Sequence, residues 1–216
     1  MKTKKRILVA PLDWGIGHAT RCIPIIKELI NNNFDVIIAA DGRPMHLLIN
    51  EFPKLEIIRF SGYNITYPKH LTMSISMFLQ IPKILWNIQK ENTLLNEIIK
   101  DYKIDGVISD NRFGLYTKKV PCVFITHQLA IQSPYFTKNI QKFNYNFINR
   151  FDACWIMDDK ENNLAGKLSN PEKLPKNPIY IGNQSRFEYK KVKKKYDFLA
   201  MVSGPEPRRS ILEKGL

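Results

Sequence analysis

The stretch RILVAPLDWGIGHATRCIPIIKELI (residues 6–30) contains an apolar run, a glycine-containing loop and an amphipathic segment. The run at 6–12 is rich in aliphatic residues, as buried parallel strands are. A helix is predicted from about Ala19 to Asn31, because its isoleucines recur three and four residues apart and form one buried stripe. The order strand, loop, helix is typical of the first part of a βαβ unit.

The same alternation continues along the chain. Further strands are predicted at 34–40, 55–60, 104–110, 121–127, 152–158 and 178–183, and helices at 43–52, within 71–102 and around 135–150. Pro82 is expected to kink or divide the long helical region, because proline removes a backbone hydrogen bond. Strands that alternate with helices predict an α/β fold with a Rossmann-like, doubly wound parallel sheet.

The C-terminal part of the chain has a different character. A lysine run at 190–195 is followed by an apolar segment at 196–204, which predicts a buried strand, and then by the first turns of a helix. A strand and half a helix cannot form a core by themselves. We therefore expect a main domain at 1–185, a basic interdomain linker at 186–195, and at 196–216 only the start of a second α/β domain.

The charge of the chain favours anionic partners. Its 216 residues carry a formal net charge of +13, which would attract phosphorylated ligands, an anionic membrane surface or nucleic acid. The basic runs are equally compatible with solvated surface or linker. Nucleic acid is not an expected partner, because no recognition motif is present and aromatic residues are not interleaved with the basic runs.

The cysteine and apolar patterns indicate a cytoplasmic protein. The three cysteines are far apart and lack metal-ligand spacing, as expected in a reducing compartment. The first apolar run is too short for a signal peptide, and no run of about 18 apolar residues is present to span a membrane. The four histidines have no paired spacing, so neither a protein-bound metal nor a resident cofactor is predicted.

The loop after the first strand is predicted to bind a ligand. Gly15 and Gly17 let the backbone approach a ligand closely, and the N-terminus of the following helix suits phosphate or a developing oxyanion. The loop is not a dinucleotide fingerprint, because Thr20 occupies the place of the third glycine. The Lys-Ser/Thr pair of a P-loop is absent as well.

Three segments carry a resemblance to a known family. GIGHATR (15–21) resembles the first-strand loop of glycosyltransferases with the GT-B fold, in particular the branch containing the enzyme that adds N-acetylglucosamine to lipid I. KIDGVISD (103–110) resembles the fourth-strand segment of that branch. IYIGNQSRF (179–187), with the later FLAMVSGPEPRR (198–209), resembles the crossing into the second domain of bacterial glycosyltransferases. The resemblance implies that the chain carries the N-terminal, acceptor-binding domain of a GT-B enzyme.

The resemblance suggests His18 as the catalytic base, and the alternative is a histidine that caps its own helix. A histidine can accept a hydroxyl proton near neutral pH, and several GT-B families use one in this loop. Asp110 either orients His18 as a second catalytic residue or caps a helix. Arg21, three residues after His18, either binds an acidic group of the acceptor or pairs with Asp110.

Other candidate ligand contacts follow later strands. Arg112, His127 and Gln128 lie at the same predicted sheet edge and are candidates for acceptor binding, although a loop hydrogen bond would also explain His127 and Gln128. In the tail, the residues that would meet the nucleotide diphosphate are Gly204, Glu206, Arg208 and Arg209.

The resemblance, together with these candidate residues, implies an inverting transferase that moves a sugar from a nucleotide-sugar, with UDP-sugars favoured, to a hydroxyl of a sugar or lipid-linked acceptor. The alternatives are a non-catalytic acceptor-binding or membrane-binding half that needs a partner chain with the donor domain, and an inactive gene fragment. A membrane contact at the inner leaflet could use an apolar face within 71–88, which is equally typical of a helix covering a sheet. Its residues are Met73, Met77, Phe78, Ile81, Leu85 and Trp86.

Overall fold

The computed structural model describes residues 4–62, 80–131, 137–202 and 208–215. The chain divides into two compact units, Met1–Arg186 and Phe187–Leu216. The first unit contains seven strands, four α-helices and a short 3-10 helix, Gly166–Leu168, among its described residues. The strands are β1 Arg6–Pro11, β2 Asp35–Ala40, β3 Glu56–Arg59, β4 Gly106–Asp110, β5 Cys122–Thr126, β6 Ala153–Ile156 and β7 Pro178–Tyr180. The helices are α1 Ile16–Asn31, α2 Gly42–Glu51, α3 Ile81–Tyr102 and α4 Thr137–Ile148.

The seven strands form one parallel sheet in the order β3-β2-β1-β4-β5-β6-β7. The predicted Rossmann-like, doubly wound α/β fold is therefore confirmed. The direction of winding reverses between β1 and β4, which are hydrogen-bonded neighbours. In open sheets of this kind ligands bind outside the carboxyl ends of the strands at such a switch point.

The core lies on both faces of the sheet because successive residues of a strand point to opposite faces. In β1, Leu8 and Ala10 pack with residues of α3 and α4, whereas Val9 packs with residues of α1 and α2. The central strands are therefore apolar on both faces, which explains why their sequences are continuous aliphatic runs.

Two helices begin elsewhere than predicted. α1 begins at Ile16, so His18 lies in the first turn of the helix and not in the loop before it. α3 begins at Ile81 and has Pro82 in its first turn, where a missing N–H costs nothing. Pro82 therefore does not kink this helix, and the alternative, that Pro82 divides the predicted helical region, stays a prediction. The rest of the predicted helical region, 71–79, lies outside the described residues.

In the second unit, the described part of the strand predicted at 196–204 is not a strand. Residues 196–202 form no strand. Apolar side chains in this segment are exposed to solvent, with Phe198 85% and Met201 86% exposed. A strand needs a neighbour to pair its backbone, and apolar composition alone does not supply one. Helix α5, Arg208–Glu213, lies in the region where the first turns of a helix are predicted.

Candidate active site at the carboxyl edge of the sheet

Three neighbouring strands bring the site residues together. Pro11 at the end of β1 lies opposite Asp110 at the end of β4, and the Leu12 N–H donates to the Asp110 carbonyl at 3.1 Å. On the other side of β4, Asp110 lies opposite Ile125 of β5, two residues before His127. Because the strands are parallel, the loop after β1, the end of β4 and the loop after β5 meet at one edge.

Helix α1 places His18 against Asp110. The chain enters the helix in an extended conformation at Gly15, and the His18 N–H donates to the Gly15 carbonyl at 3.3 Å. The His18 side chain is only 16% exposed, and its Nδ1 lies 3.0 Å from Asp110 Oδ2. Of the two roles predicted for Asp110, the structure shows the contact with His18. It shows no helix after β4 that Asp110 could cap.

The Asp110 side chain is fully buried and accepts hydrogen bonds from several groups. Arg21 donates from Nε to Oδ2 at 2.9 Å and from Nη2 to Oδ1. The Cys22 thiol lies 3.9 Å from Oδ2. A buried carboxylate needs such partners, since burial without them would destabilise its charge. Arg21 therefore pairs with Asp110, one of the two roles predicted for it.

Arg21 also links two histidines. Its Nη2 lies 2.5 Å from Nδ1 of His18, and its Nη1 lies 2.5 Å from Nδ1 of His127. His127 is exposed overall, so its contact with Arg21 connects the buried Asp110 carboxylate to the surface at this edge of the sheet. We call His18, Arg21, Asp110 and His127 the edge cluster.

The surroundings alter two pKa values in the cluster. Burial and the Arg21 charge lower the pKa of His127 most, the Asp110 charge opposes them, and His18 lowers this pKa more weakly. This histidine is therefore neutral at pH 7. Burial raises the pKa of the Cys22 thiol well above its ordinary value, and the Asp110 charge acts in the same direction. Cys22 is thus a neutral thiol and not a nucleophile.

The glycines of the loop leave open space beside the edge cluster. Neither Gly15 nor Gly17 has a φ in the left-handed region, and a Cβ built on either would meet no atom within 4 Å. The fold therefore does not require glycine at these positions, whereas a ligand approaching the backbone would. Trp14 in the same loop and Ile16 at the start of α1 are about half exposed, and Gln128 beside His127 is exposed.

Arg112 lies in a different environment from the one predicted. Its side chain is fully buried, with Nε 2.8 Å from Oε1 of Glu91 in α3. Its terminal nitrogens donate to the carbonyls of Pro11, Phe60 and Ser61. The prediction that Arg112 contacts the acceptor is wrong, because its donors are all directed to protein groups inside the fold.

Sequence reasoning missed Glu91 and Cys22. Glu91 lies three residues after Ile88 and four before Leu95, within the buried stripe of α3. An acidic residue in such a stripe is a recognisable signal for a buried cationic partner. Cys22 lies four residues after His18 and so shares its helix face, but a lone cysteine gives no comparable signal.

The donor-site candidates are only partly described. Gly204 and Glu206 lie outside the described residues, and of Arg208 only the backbone, at the start of α5, is described. Arg209 pairs with Glu213 one helical turn later at 3.7 Å. Within the described ranges, no group of three or more His, Cys, Asp and Glu side chains is placed to bind a metal ion. None of the described helices has the length and apolar character needed to cross a membrane.

Comparison with known proteins identifies both the family and the fold. The family model described as glycosyl transferase family 1 matches residues 5–199. Among solved structures, LpCGTa in complex with UDP has a TM-score of 0.55 and 11% identity, over 84% of this chain and 53% of that one. Phytolacca americana UGT2, complexed with UDP-2fluoro-glucose and pterostilbene, has a TM-score of 0.52 and 11% identity, over 83% and 54% of the two chains.

A third solved structure, Acinetobacter baumannii MurG, has a TM-score of 0.40 and 15% identity, over 73% of this chain and 42% of that one. The chain thus spans about half the length of the solved structures it matches. None of the curated proteins compared with the chain matches it.

Proposed function

The chain belongs to glycosyl transferase family 1, and from that premise we propose that it transfers a sugar from a nucleotide-sugar to an acceptor hydroxyl. A UDP-sugar is the proposed donor, since two of the solved structures with a similar fold are complexes with UDP or a UDP-sugar analogue. The observation that carries the proposal is the 3.0 Å contact between His18 Nδ1 and buried Asp110 Oδ2. It gives a histidine at the ligand edge of the sheet a fixed partner.

The proposed reaction is a single displacement with inversion. When Nδ1–H of His18 donates to Asp110, the Nε2 lone pair is free to take the proton of the acceptor hydroxyl. The hydroxyl oxygen forms a bond to the anomeric carbon as the bond to the nucleotide diphosphate breaks, and the diphosphate leaves with its electron pair. Asp110 stabilises the imidazolium that forms, because an opposite charge next to the ring favours its charged form.

The acceptor is proposed to contact the loop after β1 and the loop after β5. The open space beside Gly15 and Gly17 lets a substrate reach the first turn of α1. Exposed Trp14 offers a ring face to a sugar or an apolar group, and exposed Gln128 offers an amide.

The donor is proposed to bind mainly to a second domain. Residues 196–216 would form its beginning, with Gly204, Glu206, Arg208 and Arg209 near the diphosphate. Either the same protein or a partner chain would supply the remainder of that domain. The nucleotide-sugar is a substrate in this scheme, and no resident cofactor is proposed.

A second proposed property is contact with an anionic membrane. In α3, Leu85 and Trp86 are exposed, and the Lys90 ammonium lies 5.3 Å from the Trp86 ring centroid. Apolar side chains beside basic ones favour the surface of an anionic leaflet. Sedimentation with phosphatidylglycerol vesicles tests this: Trp86→Ala should reduce binding, and unchanged binding by this variant would contradict the proposal.

The transferase proposal is tested first on the protein purified from its own cells, whose mass is compared with the 25.2 kDa of this chain. The same preparation is incubated with UDP-sugars and a panel of sugar and lipid-linked acceptors, and UDP release is measured. His18→Ala should lower kcat/KM by about 10²- to 10⁴-fold, the range for loss of a general base.

The matched control for His18→Ala is His46→Ala, since His46 is an exposed histidine of α2 outside the edge cluster. Its kcat/KM should remain unchanged. Equal kcat/KM in His18→Ala and wild type would remove His18 from the chemistry.

A further inference from the structure

We propose that His127 is a neutral hydrogen-bond donor that presents Nε2–H to a second oxygen of the acceptor, with its tautomer set by the positioning residue Arg21. His18 then acts as the base on the reacting hydroxyl. The inference rests on the proposed function for its acceptor. The assignment of protons within the edge cluster depends only on the described contacts.

The tautomer of His127 follows from the chemistry of its partner. A guanidinium has N–H donors only and no lone pair to offer, so a ring nitrogen whose hydrogen-bond partner is a guanidinium, with no acceptor beside it, must accept. Arg21 Nη1 lies 2.5 Å from His127 Nδ1, which therefore carries the lone pair. A neutral imidazole has its single proton on the other nitrogen, and this places the proton on Nε2.

Charge supports the neutral state of this ring. A guanidinium is always positively charged in proteins, and a second positive charge 2.5 Å from it would be repelled. Burial together with the Arg21 charge keeps the pKa of His127 below its ordinary value. The carboxylate that could have favoured an imidazolium, Asp110, is already bound by Nε and Nη2 of Arg21.

His18 differs from His127 because its Nδ1 has a carboxylate partner as well as Arg21. Its Nδ1 lies near both a donor, Arg21 Nη2 at 2.5 Å, and an acceptor, Asp110 Oδ2 at 3.0 Å. If Nδ1 accepted from Arg21, the proton would sit on Nε2 and the ring could not act as a base. If Nδ1–H donates to Asp110, Nε2 is free, and the proposed reaction requires this form. Arg21 therefore favours the tautomer with the proton on Nε2 in both rings. Only in His18 does a neighbouring carboxylate, Asp110, favour the proton on Nδ1 instead.

The arrangement selects a class of acceptor. Both Nδ1 atoms lie 2.5 Å from the two terminal nitrogens of one guanidinium, and under the proposal the two rings contact neighbouring groups of one acceptor molecule. The base requires a hydroxyl, and the donor requires an oxygen lone pair beside it. A vicinal diol of a sugar, or a hydroxyl next to a carboxylate or phosphate, meets both requirements. An acceptor with an ammonium at the second position would be rejected, because it has no lone pair for Nε2–H.

The tautomers are measured on the purified chain by long-range ¹H–¹⁵N correlation spectra at neutral pH, with no ligand needed. His127 should show the Nε2–H pattern. A predominantly Nδ1–H or imidazolium pattern would overturn the proposal, whether or not the protein transfers sugar. His46→Gln and His127→Gln assign the signals.

The role of Arg21 is tested by Arg21→Lys, which keeps a positive charge beside Asp110 but loses the forked donor geometry. His127 should then show a mixture of tautomers, and Arg43→Lys, an exposed arginine of α2, should leave the spectrum unchanged. An unaltered Nε2–H pattern in Arg21→Lys would show that Arg21 does not set it. If Arg21→Lys does not fold, the wild-type spectrum still decides the tautomer of His127.

The acceptor contact is tested with the acceptor that the transferase assay identifies. A glutamine amide can replace Nε2–H, whereas an asparagine amide is too short to reach the same place. His127→Gln should therefore retain KM for the acceptor, and His127→Asn should raise it by about 3- to 10-fold, the effect of one lost hydrogen bond. Equal KM values for the two variants would overturn the contact while leaving the transferase activity established.

Discussion

Two arginine–carboxylate pairs lie close to the ends of β1 and β4, and they serve different purposes. In the edge cluster Arg21 pairs with Asp110, and in what we call the buried pair Arg112 pairs with Glu91. Asp110 and Arg112 come from the same short segment, SDNRFG (109–114). The difference between the pairs lies in the groups that complete their hydrogen bonds.

The buried pair is completed by groups that cannot exchange protons. Arg112 donates to three backbone carbonyls, and its guanidinium lies 4.4 Å from the Phe60 ring centroid. It thereby connects α3 with the ends of β1 and β3. The edge cluster is completed by His18 and His127, whose rings can hold a proton on either nitrogen. Of the two, only the edge cluster contains side chains that can accept and donate protons in acid–base catalysis.

The largest expected effect comes from breaking the edge cluster at Asp110. Asp110→Asn should lower kcat/KM by about 10²- to 10⁴-fold, since His18 loses the carboxylate that accepts from Nδ1–H, leaves Nε2 free and stabilises the imidazolium. The melting temperature should fall too, because Arg21 loses its counter-ion. Steady-state kinetics and thermal unfolding measure the two effects. Wild-type kcat/KM in a folded Asp110→Asn protein would show that the contact with His18 has no catalytic role.

Breaking the buried pair should affect stability and not chemistry. Arg112→Met leaves Glu91 buried without its partner and should lower the free energy of unfolding by about 3–5 kcal/mol. Measured below the melting temperature, kcat/KM should remain within about threefold of wild type, since an acceptor cannot reach Arg112. Chemical denaturation gives the first value and initial rates give the second.

Replacing both members of the buried pair sharpens this test. The double variant Arg112→Met with Glu91→Leu should recover much of the lost stability, because no unpaired charge remains. A double variant as unstable as the sum of the single ones would mean that the bonds from Arg112 to backbone carbonyls, and not the ion pair, stabilise this region.

Replacing a glycine by alanine should affect stability differently near the two pairs. Gly114→Ala would place its Cβ 2.4 Å from the Glu91 Cβ and 2.5 Å from the Ile88 carbonyl oxygen, and should cost about 1–3 kcal/mol. Gly17→Ala meets no atom within 4 Å and should change stability by less than about 1 kcal/mol. If the open space receives the acceptor, Gly17→Ala should still raise KM. An unchanged KM would place the acceptor elsewhere.

The smallest expected effect is on the pH dependence of stability. Because the pKa of His127 is lower in the folded protein, the unfolded chain binds more protons as pH falls below about 6.5. The contribution of His127 to stability is therefore present at neutral pH and is lost as pH falls toward the folded pKa. The free energy of unfolding, obtained by denaturation at a series of pH values from 7.5 to 5, should change less with pH in His127→Gln than in the wild type. Identical pH dependence in the two proteins would contradict the lowered pKa.

Much of the fold was predictable from local sequence. Continuous aliphatic runs such as 6–12 and 34–40 predict strands buried on both faces, and isoleucines at helical spacing predict α1. The edge of the sheet that carries the site was predictable too, because parallel strands in α/β order share a carboxyl edge. The apolar segment 196–202 shows the limit, since it has strand-like composition but pairs with no neighbour among the described residues.

The sequence by itself determined that His18, Asp110, Arg112 and His127 would follow the ends of strands at one edge. Only the tertiary structure decided which of them meet. Asn111 has a φ of 55°, so the chain turns sharply after Asp110 and Arg112 enters the interior, where Glu91 lies. The register of β1 against β4 places Asp110 next to α1. Both are long-range effects, because a turn and a register are selected by the packing of segments far apart in the sequence.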